Sequence, residues 1–233
     1  MIDQLKKHPF FKEKHITSWE PVEIQSFCNE NYLVIADQKK YIVRKFLRTD
    51  IDRDFEYKVH TLAFDAGITS ELLLFDLDKG MMISSFLEGV HKDTLSENDF
   101  ILLADTLRKV HSFHIQAEPV KIKIQNKSAD LKQALEIITQ HDKELVLCHN
   151  DLNPKNILFS NDVKFIDWEY AGVNDKYFDL ACVCVEFELS PLKEQYFLES
   201  YFQSKKSNED KLRAYKILYT ELYKEWFLNN KTQ

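Results

Sequence analysis

The chain has 233 residues, 44% hydrophobic and 30% charged, with a net charge of −7. That is enough for a sizeable core and fits a soluble globular protein. No apolar run approaches the ~20 residues needed to cross a bilayer. The opening stretch MIDQLKKHPFFKEKH carries no apolar signal-peptide core, which argues for a cytoplasmic protein without membrane insertion. The acidic balance argues against nucleic acid as a partner. It leaves an anionic substrate open, because local charge matters more than the total.

In chain order, Trp19 to Phe27, Asn31 to Ala36 and Tyr41 to Phe46 read as strands, the last two joined by the turn DQKK. The period then changes. Phe55, Val59, Leu62 and Ala63 recur at helical spacing, and Gly67 stands where a helix C-cap belongs. Leu72 to Phe75 and Met81 to Ser84 follow as strands around DLDKG. After SSFLEG the pattern turns helical. ENDFILLADTLRKVHSFH places Ile101, Leu103, Ala104, Leu107 and Val110 on one side, and ADLKQALEIITQHD gives another helix. From Tyr177 to about Asn229 three more helices are expected. The fold class is α+β and two-lobed: an antiparallel five-stranded N-terminal lobe with one helix, residues 1–86, and a mostly helical C-terminal lobe, residues 87–233. A cleft between lobes is a common place for a small-molecule site. Four cysteines, Cys28, Cys148, Cys182 and Cys184, lack C-x-x-C spacing and read as small buried hydrophobes in a reducing compartment.

The chemistry concentrates in LCHNDLNPKNILF, Leu147 to Phe159. Polar residues that dense make poor core, because each buried polar group needs a partner. Apolar residues on both sides read as short buried strands, a rigid frame for a polar loop. Eleven residues after Asn156, KFIDWEYAG puts Asp167 behind another apolar strand. Asp151, Asn156 and Asp167 would then lie at the ends of adjacent strands, which suits phosphoryl transfer. Asn156 and Asp167 offer oxygen ligands for Mg²⁺, and Asp151 can orient a hydroxyl and accept its proton.

These motifs, CHNDLNPKNILF and FIDWEYAGVNDKYFDLACVCVEF, with weaker support from YIVRKF, IDRDFE and GMMISSFLEG, resemble the aminoglycoside phosphotransferase and choline kinase superfamily. That superfamily shares its fold with protein kinases. Within it the chain most resembles bacterial choline kinases, over roughly Asn29 to Phe187. The resemblance implies ATP and Mg²⁺ as cofactors, with Asp151 as catalytic base and Asn156 and Asp167 as metal ligands. Arg44 would reach the ATP phosphates and Glu56 would be its acidic partner. His149 would hold the catalytic loop by hydrogen bonds, and Asp179 of FDLA would brace it. Ser85, Phe86 and Leu87 would form the hinge that meets adenine. SFCNENYLV aligns with the phosphate-covering hairpin, but Ser26 to Tyr32 contains no Gly, so Asn29 would compensate with its side chain.

The loop does not name the acceptor. DWEYAGVNDKYFDLA supplies aromatic faces, Trp168, Tyr170, Tyr177 and Phe178, and negative charge, Glu169, Asp175 and Glu186. Tyr219, Tyr223 and Trp226 share one stripe of the last helix. A quaternary ammonium is bound by ring faces and carboxylates. The run WEYAG-x-ND-x-x-FDLA also resembles choline kinases, and that resemblance makes choline the expected substrate, with Trp168, Tyr170 and Trp226 as the leading ring candidates. Ethanolamine, thiamine or an aminoglycoside are the alternatives. A catalytically inactive nucleotide-binding scaffold is a further rival, disfavoured because Asp151, Asn156 and Asp167 are all present. The oligomeric state is not set by the sequence.

Overall fold

A computed structural model describes residues 7–22, 28–125, 128–203 and 205–231, the last three by backbone alone. Two compact units divide the chain, Met1–Glu88 and Gly89–Gln233.

The first unit is built on an antiparallel sheet of five strands: β1 (Ile16–Pro21), β2 (Asn29–Ala36), β3 (Lys39–Phe46), β4 (Leu72–Asp76) and β5 (Met81–Ser85), in the order β1-β2-β3-β5-β4. Alternation along β2 and β3 turns Val34, Ala36, Tyr41 and Val43 inward. They pack with Met81, Ile83 and Phe11, the last delivered by a 3-10 turn at Pro9–Phe11. The tight β2–β3 turn holds Asp37 and Gln38 at positive φ. The single helix, α1 (Arg53–Asp65), starts where the Asp52 side chain accepts the Phe55 N–H. It ends before Gly67, whose φ of +70 is the left-handed conformation expected of that glycine. Of the strand expected over Trp19 to Phe27, β1 ends at Pro21, and residues 23–27 lie outside the described residues.

The second unit is mostly helical: α2 (Glu97–His111), α3 (Ala129–Thr139), α4 (Lys176–Glu186), α5 (Pro191–Phe202) and α6 (Glu209–Lys231). A capping box, Ser96 with Asp99, opens α2. Pro191 at the first position of α5 follows the Ser190 cap. Helix α2 packs on α5, and α6 packs on both α3 and α4. Between α3 and α4 run four short strands: β6 (Leu145–Cys148), β7 (Ile157–Phe159), β8 (Val163–Phe165) and β9 (Gly172–Asp175). They form two separate antiparallel pairs, β7 with β8 and β6 with β9. This corrects the sequence reading. The strands that flank the polar loop, β6 and β7, do not pair with each other. The partner of β6 is β9, in a segment read from the sequence as acceptor-binding surface. All four residues of β9 are buried.

Candidate active site

The polar loop spans the gap between β6 and β7, and its geometry follows from where its backbone hydrogen bonds go. Asn150 sits at φ +64, a left-handed conformation that asparagine tolerates better than most residues. The strain is held from outside. One oxygen of the Asp179 carboxylate, on α4, accepts the Asn150 N–H at 2.8 Å and the other accepts the His149 N–H at 2.8 Å. The Asn150 amide donates to the Tyr170 carbonyl at 3.0 Å and accepts from Asn174 of β9 at 2.9 Å. Asp179 is completely buried, so these donors replace the water it has lost.

His149 is equally buried. Its Nε2 lies 3.0 Å from the Ile166 carbonyl, which can only accept, so Nε2 carries the proton. Burial lowers the pKa of the ring. Its face packs on Trp168, with centroids 4.7 Å apart, and on Phe165. The enclosed imidazole ties the loop to the segment before Asp167 through that hydrogen bond. From the other side, the Ile166 N–H donates to the Asn156 carbonyl at 3.0 Å. Ile166 immediately precedes Asp167. The loop is therefore gripped to the Asp167 strand at two points, through His149 and through Asn156.

Asp151 receives the Asn153 amide at 3.0 Å on one oxygen and the Asn156 amide at 2.7 Å on the other. Asn156 also donates to the Asp151 carbonyl at 2.9 Å. Its side-chain nitrogen is thereby committed, and its side-chain oxygen is turned elsewhere. Burial, the Asp167 carboxylate and, more weakly, Glu186 push Asp151 up to about 7. Asp167 has φ +67 in the turn that leads into the 3-10 segment Trp168–Tyr170. A carboxyl raised by neighbouring carboxylates in this way is the electrostatic signature of a place prepared for positive charge.

The aromatic and acidic candidates separate into two groups. Trp168 is 1% exposed, wedged behind the loop against His149 and Phe165. It offers no ring face to solvent, which corrects the expectation of a cage wall there. Tyr177 and Phe178 are core as well. The Tyr177 hydroxyl accepts the Asn208 N–H at 2.8 Å and its ring stacks on Tyr215. Asp175 caps α4 and pairs with buried Lys211 at 2.8 Å, so its charge is spent on structure. In the second group Tyr223 and Trp226 keep accessible surface, while Tyr219 is buried. Tyr223 is 49% exposed, and its ring stacks on Trp226 with centroids 6.5 Å apart and on Tyr219 at 6.4 Å. The Tyr219 hydroxyl donates to Glu186 at 2.7 Å. The charges of Glu186 and Asp151 both help burial raise the Tyr223 phenol. The start of the aromatic stripe therefore lies within electrostatic reach of the catalytic loop. Glu169 is buried beside Trp168, and Tyr170 is partly exposed.

In the first unit, Arg44 of β3 donates to Glu56 of α1 at 3.4 Å, as the resemblance implied. The sequence reading missed Arg53, which donates to the other Glu56 oxygen at 2.6 Å and stacks on Phe46. Its i,i+3 spacing to Glu56 was the available signal. Asn29 is fully buried and accepts from Arg53 at 3.4 Å, so its side chain is turned inward. Ser26 and Phe27 of the expected phosphate hairpin lie outside the described residues. At the expected hinge, the Ser85 N–H donates to the Glu71 carbonyl and the Phe86 N–H to the Lys40 carbonyl.

A model described as the phosphotransferase enzyme family matches residues 22–215. The chain belongs to that family. Membership bears out the resemblance to the aminoglycoside phosphotransferase and choline kinase superfamily, and makes the chain a phosphotransferase. Among family relatives, protein LicA of Haemophilus influenzae is 29% identical over 205 residues, covering 74% of this chain and 76% of LicA. Ethanolamine kinase 2 of Rattus norvegicus is 43% identical over 61 residues, 25% of this chain and 16% of the kinase. The crystal structure of choline kinase LicA from Streptococcus pneumoniae superposes with a TM-score of 0.83 at 23% identity, covering all of this chain and 92% of that one. That likeness establishes the α+β, two-lobed kinase-like fold.

Proposed function

We propose that this phosphotransferase transfers the γ-phosphoryl group of ATP to the hydroxyl of choline. The observation that carries the reading is the Asp151 carboxylate, presented on a braced loop beside Asp167 and within electrostatic reach of Glu186 and Tyr223. Asp151 accepts the hydroxyl proton as the alcohol attacks. Its raised pKa, about 7, matches that task. The Asn153 and Asn156 amides hold both of its oxygens and fix the direction of the basic lone pair.

The groups around the loop fit Mg²⁺, since the ligands they offer are all oxygens. Asn156, through its side-chain oxygen, and Asp167 would hold the ion. When bound, it would neutralise charge on the transferring phosphates. The Arg44–Glu56 pair, tightened by Arg53, would present a guanidinium to the phosphates. Ser85 and Phe86 spend their N–H groups inside the sheet, which leaves Leu87 as the hinge donor for adenine.

The acceptor's cation would rest on the faces of Tyr223 and Trp226, with Tyr170 and Glu169 nearby in sequence to the metal ligand and Glu186 as counter-charge. The name of LicA's solved relative, a choline kinase, supports this choice. Ethanolamine is the second reading, favoured by the 43% identical segment shared with an ethanolamine kinase. The test is a screen of the purified protein with ATP and Mg²⁺ against choline, ethanolamine, thiamine and an aminoglycoside. Catalytic efficiency at least tenfold higher for choline than for any other acceptor is expected. A higher efficiency for ethanolamine would replace the substrate and keep the enzyme class.

A further inference from the structure

Behind the catalytic loop lies a buried chain of hydrogen bonds that no reading of the loop requires. The Tyr201 hydroxyl, on α5, is 2.7 Å from Nδ1 of His111, the last residue of α2. His111 Nε2 is 3.1 Å from Oδ2 of Asp179. The same Oδ2 accepts the His149 N–H, and Oδ1 accepts the Asn150 N–H. The proton positions follow from the partners. An ionised carboxylate only accepts, so His111 Nε2 donates to Asp179. In a neutral ring Nδ1 then accepts, and Tyr201 donates. Burial raises the phenol's pKa and keeps that donor protonated. Cys148 adjoins the cluster, its sulfur within 4.8 Å of the His111 and Asp179 ligand atoms. Asp179 already receives three N–H donors, so hydrogen bonds account for the grouping without a metal.

Resting on the phosphotransferase reading above, we infer that His111 is a positioning residue for catalysis, acting through Asp179 on the left-handed turn that aims Asp151. The physical reason is acceptor occupancy. Asp179 is fully buried, and among the described residues its charge is stabilised by the N–H groups that reach it. Two come from the loop itself. The third, from His111, is anchored on helices outside the loop. Remove it and the buried carboxylate has one donor fewer and loses its tie to the helices outside the loop. The amides of His149 and Asn150 are then held less firmly, and Asn150 is free to relax from φ +64. Asp151, the next residue, moves with it. Misplacement by about 1 Å can cost about 100-fold in rate.

The experiment compares wild type, His111→Leu, His111→Gln and Tyr201→Phe by steady-state kinetics with ATP, Mg²⁺ and choline, normalised to folded protein by circular dichroism. Hydrogen exchange of the His149 and Asn150 amides is followed by NMR in the same samples. For His111→Leu a kcat at least tenfold lower is expected, with the KM for ATP within about twofold and faster exchange at both amides. His111→Gln, whose amide can donate to Asp179, should recover most of the kcat and the protection. Tyr201→Phe should fall between them. If His111→Leu does not fold, His111→Gln against Tyr201→Phe decides, because both keep the side-chain volume. Normal kcat and unchanged exchange in Tyr201→Phe would then overturn the inference. So would a folded His111→Leu with normal kcat or unchanged amide protection. A wild type that turns over no acceptor while the exchange pattern behaves as described would fault the proposed function, and leave His111's hold on the loop standing.

Discussion

Two carboxylates drawn out of water, Glu56 buried in the first unit and Asp151 partly exposed in the second, solve the same desolvation problem in opposite ways. Glu56 in the first unit is shared by two guanidinium groups, Arg44 at 3.4 Å and Arg53 at 2.6 Å. Asp151 in the second unit has amide donors but faces two further acids, and its pKa climbs to about 7. Full ionic satisfaction makes Glu56 a brace, fixing a strand cation against a helix. Partial satisfaction leaves Asp151 with affinity for a proton, which is what a general base needs near neutral pH. Asp179 is a third solution, a buried acid saturated by neutral N–H donors, and it too is structural.

The sharpest way to break this contrast is to neutralise each acid. Asp151→Asn should lower turnover by about 10²–10⁴-fold while leaving ATP binding intact. The same change should stabilise the protein in the absence of metal. A carboxyl whose folded pKa is raised favours its neutral form, so wild-type stability falls as pH rises from about 4 through about 7. The variant escapes that loss, by on the order of 4 kcal/mol at pH 8, with the difference vanishing near pH 4. Urea unfolding at the two pH values measures it. Glu56→Gln should do the reverse. It should cost about 3 kcal/mol of stability, because two buried guanidiniums lose their carboxylate, and should raise the KM for ATP. Stability gained in Glu56→Gln or lost in Asp151→Asn would erase the distinction.

Asp167→Ala removes a proposed metal ligand and the main charge that raises Asp151. Mg²⁺-dependent turnover should disappear, and Mg²⁺ should no longer raise the melting temperature. A retained Mg²⁺ shift would place the ion elsewhere. The first unit has its own acid sensitivity. His60 is buried against the Ser70 carbonyl, and burial lowers its pKa to about 4. A depressed base contributes stability that is fully present above pH 6.5 and is lost as pH falls through about 4. His60→Gln should flatten that limb of the pH–stability curve. The smallest effect concerns specificity. Trp226→Leu should raise the KM for choline several-fold, since a desolvated cation–π contact is worth about 2 kcal/mol and Tyr223 remains, while the KM for ATP stays unchanged.

Much of this arrangement was legible in the sequence because it is local. The H-N-D-x-x-x-x-N spacing fixes Asp151 against Asn156 through one turn, and alternation along β2 and β3 fixes which residues face the core. Gly67 announced the end of α1. What stayed hidden is set by long-range packing. Nothing near Trp168 in the chain tells whether its ring faces a ligand or the back of His149. Asp175 looks like free charge until Lys211, from another helix, lies 2.8 Å away. Strand β9 is short and carries Asn174 and Asp175, residues poor in strand propensity, so only its pairing with β6 reveals it. His111 and Tyr201 are 90 positions apart. A lone histidine at a helix end carries no sign of the carboxylate it holds.

The most direct test of the account follows phosphoryl transfer by ³¹P NMR, with ATP, Mg²⁺ and choline, for wild type and Asp151→Asn at equal folded concentration. Wild type should form phosphocholine and ADP in equal amounts, and the variant should form them at least 100-fold more slowly with ATP still bound. Equal rates in the two proteins would remove Asp151 from the role of base and contradict the account at its centre.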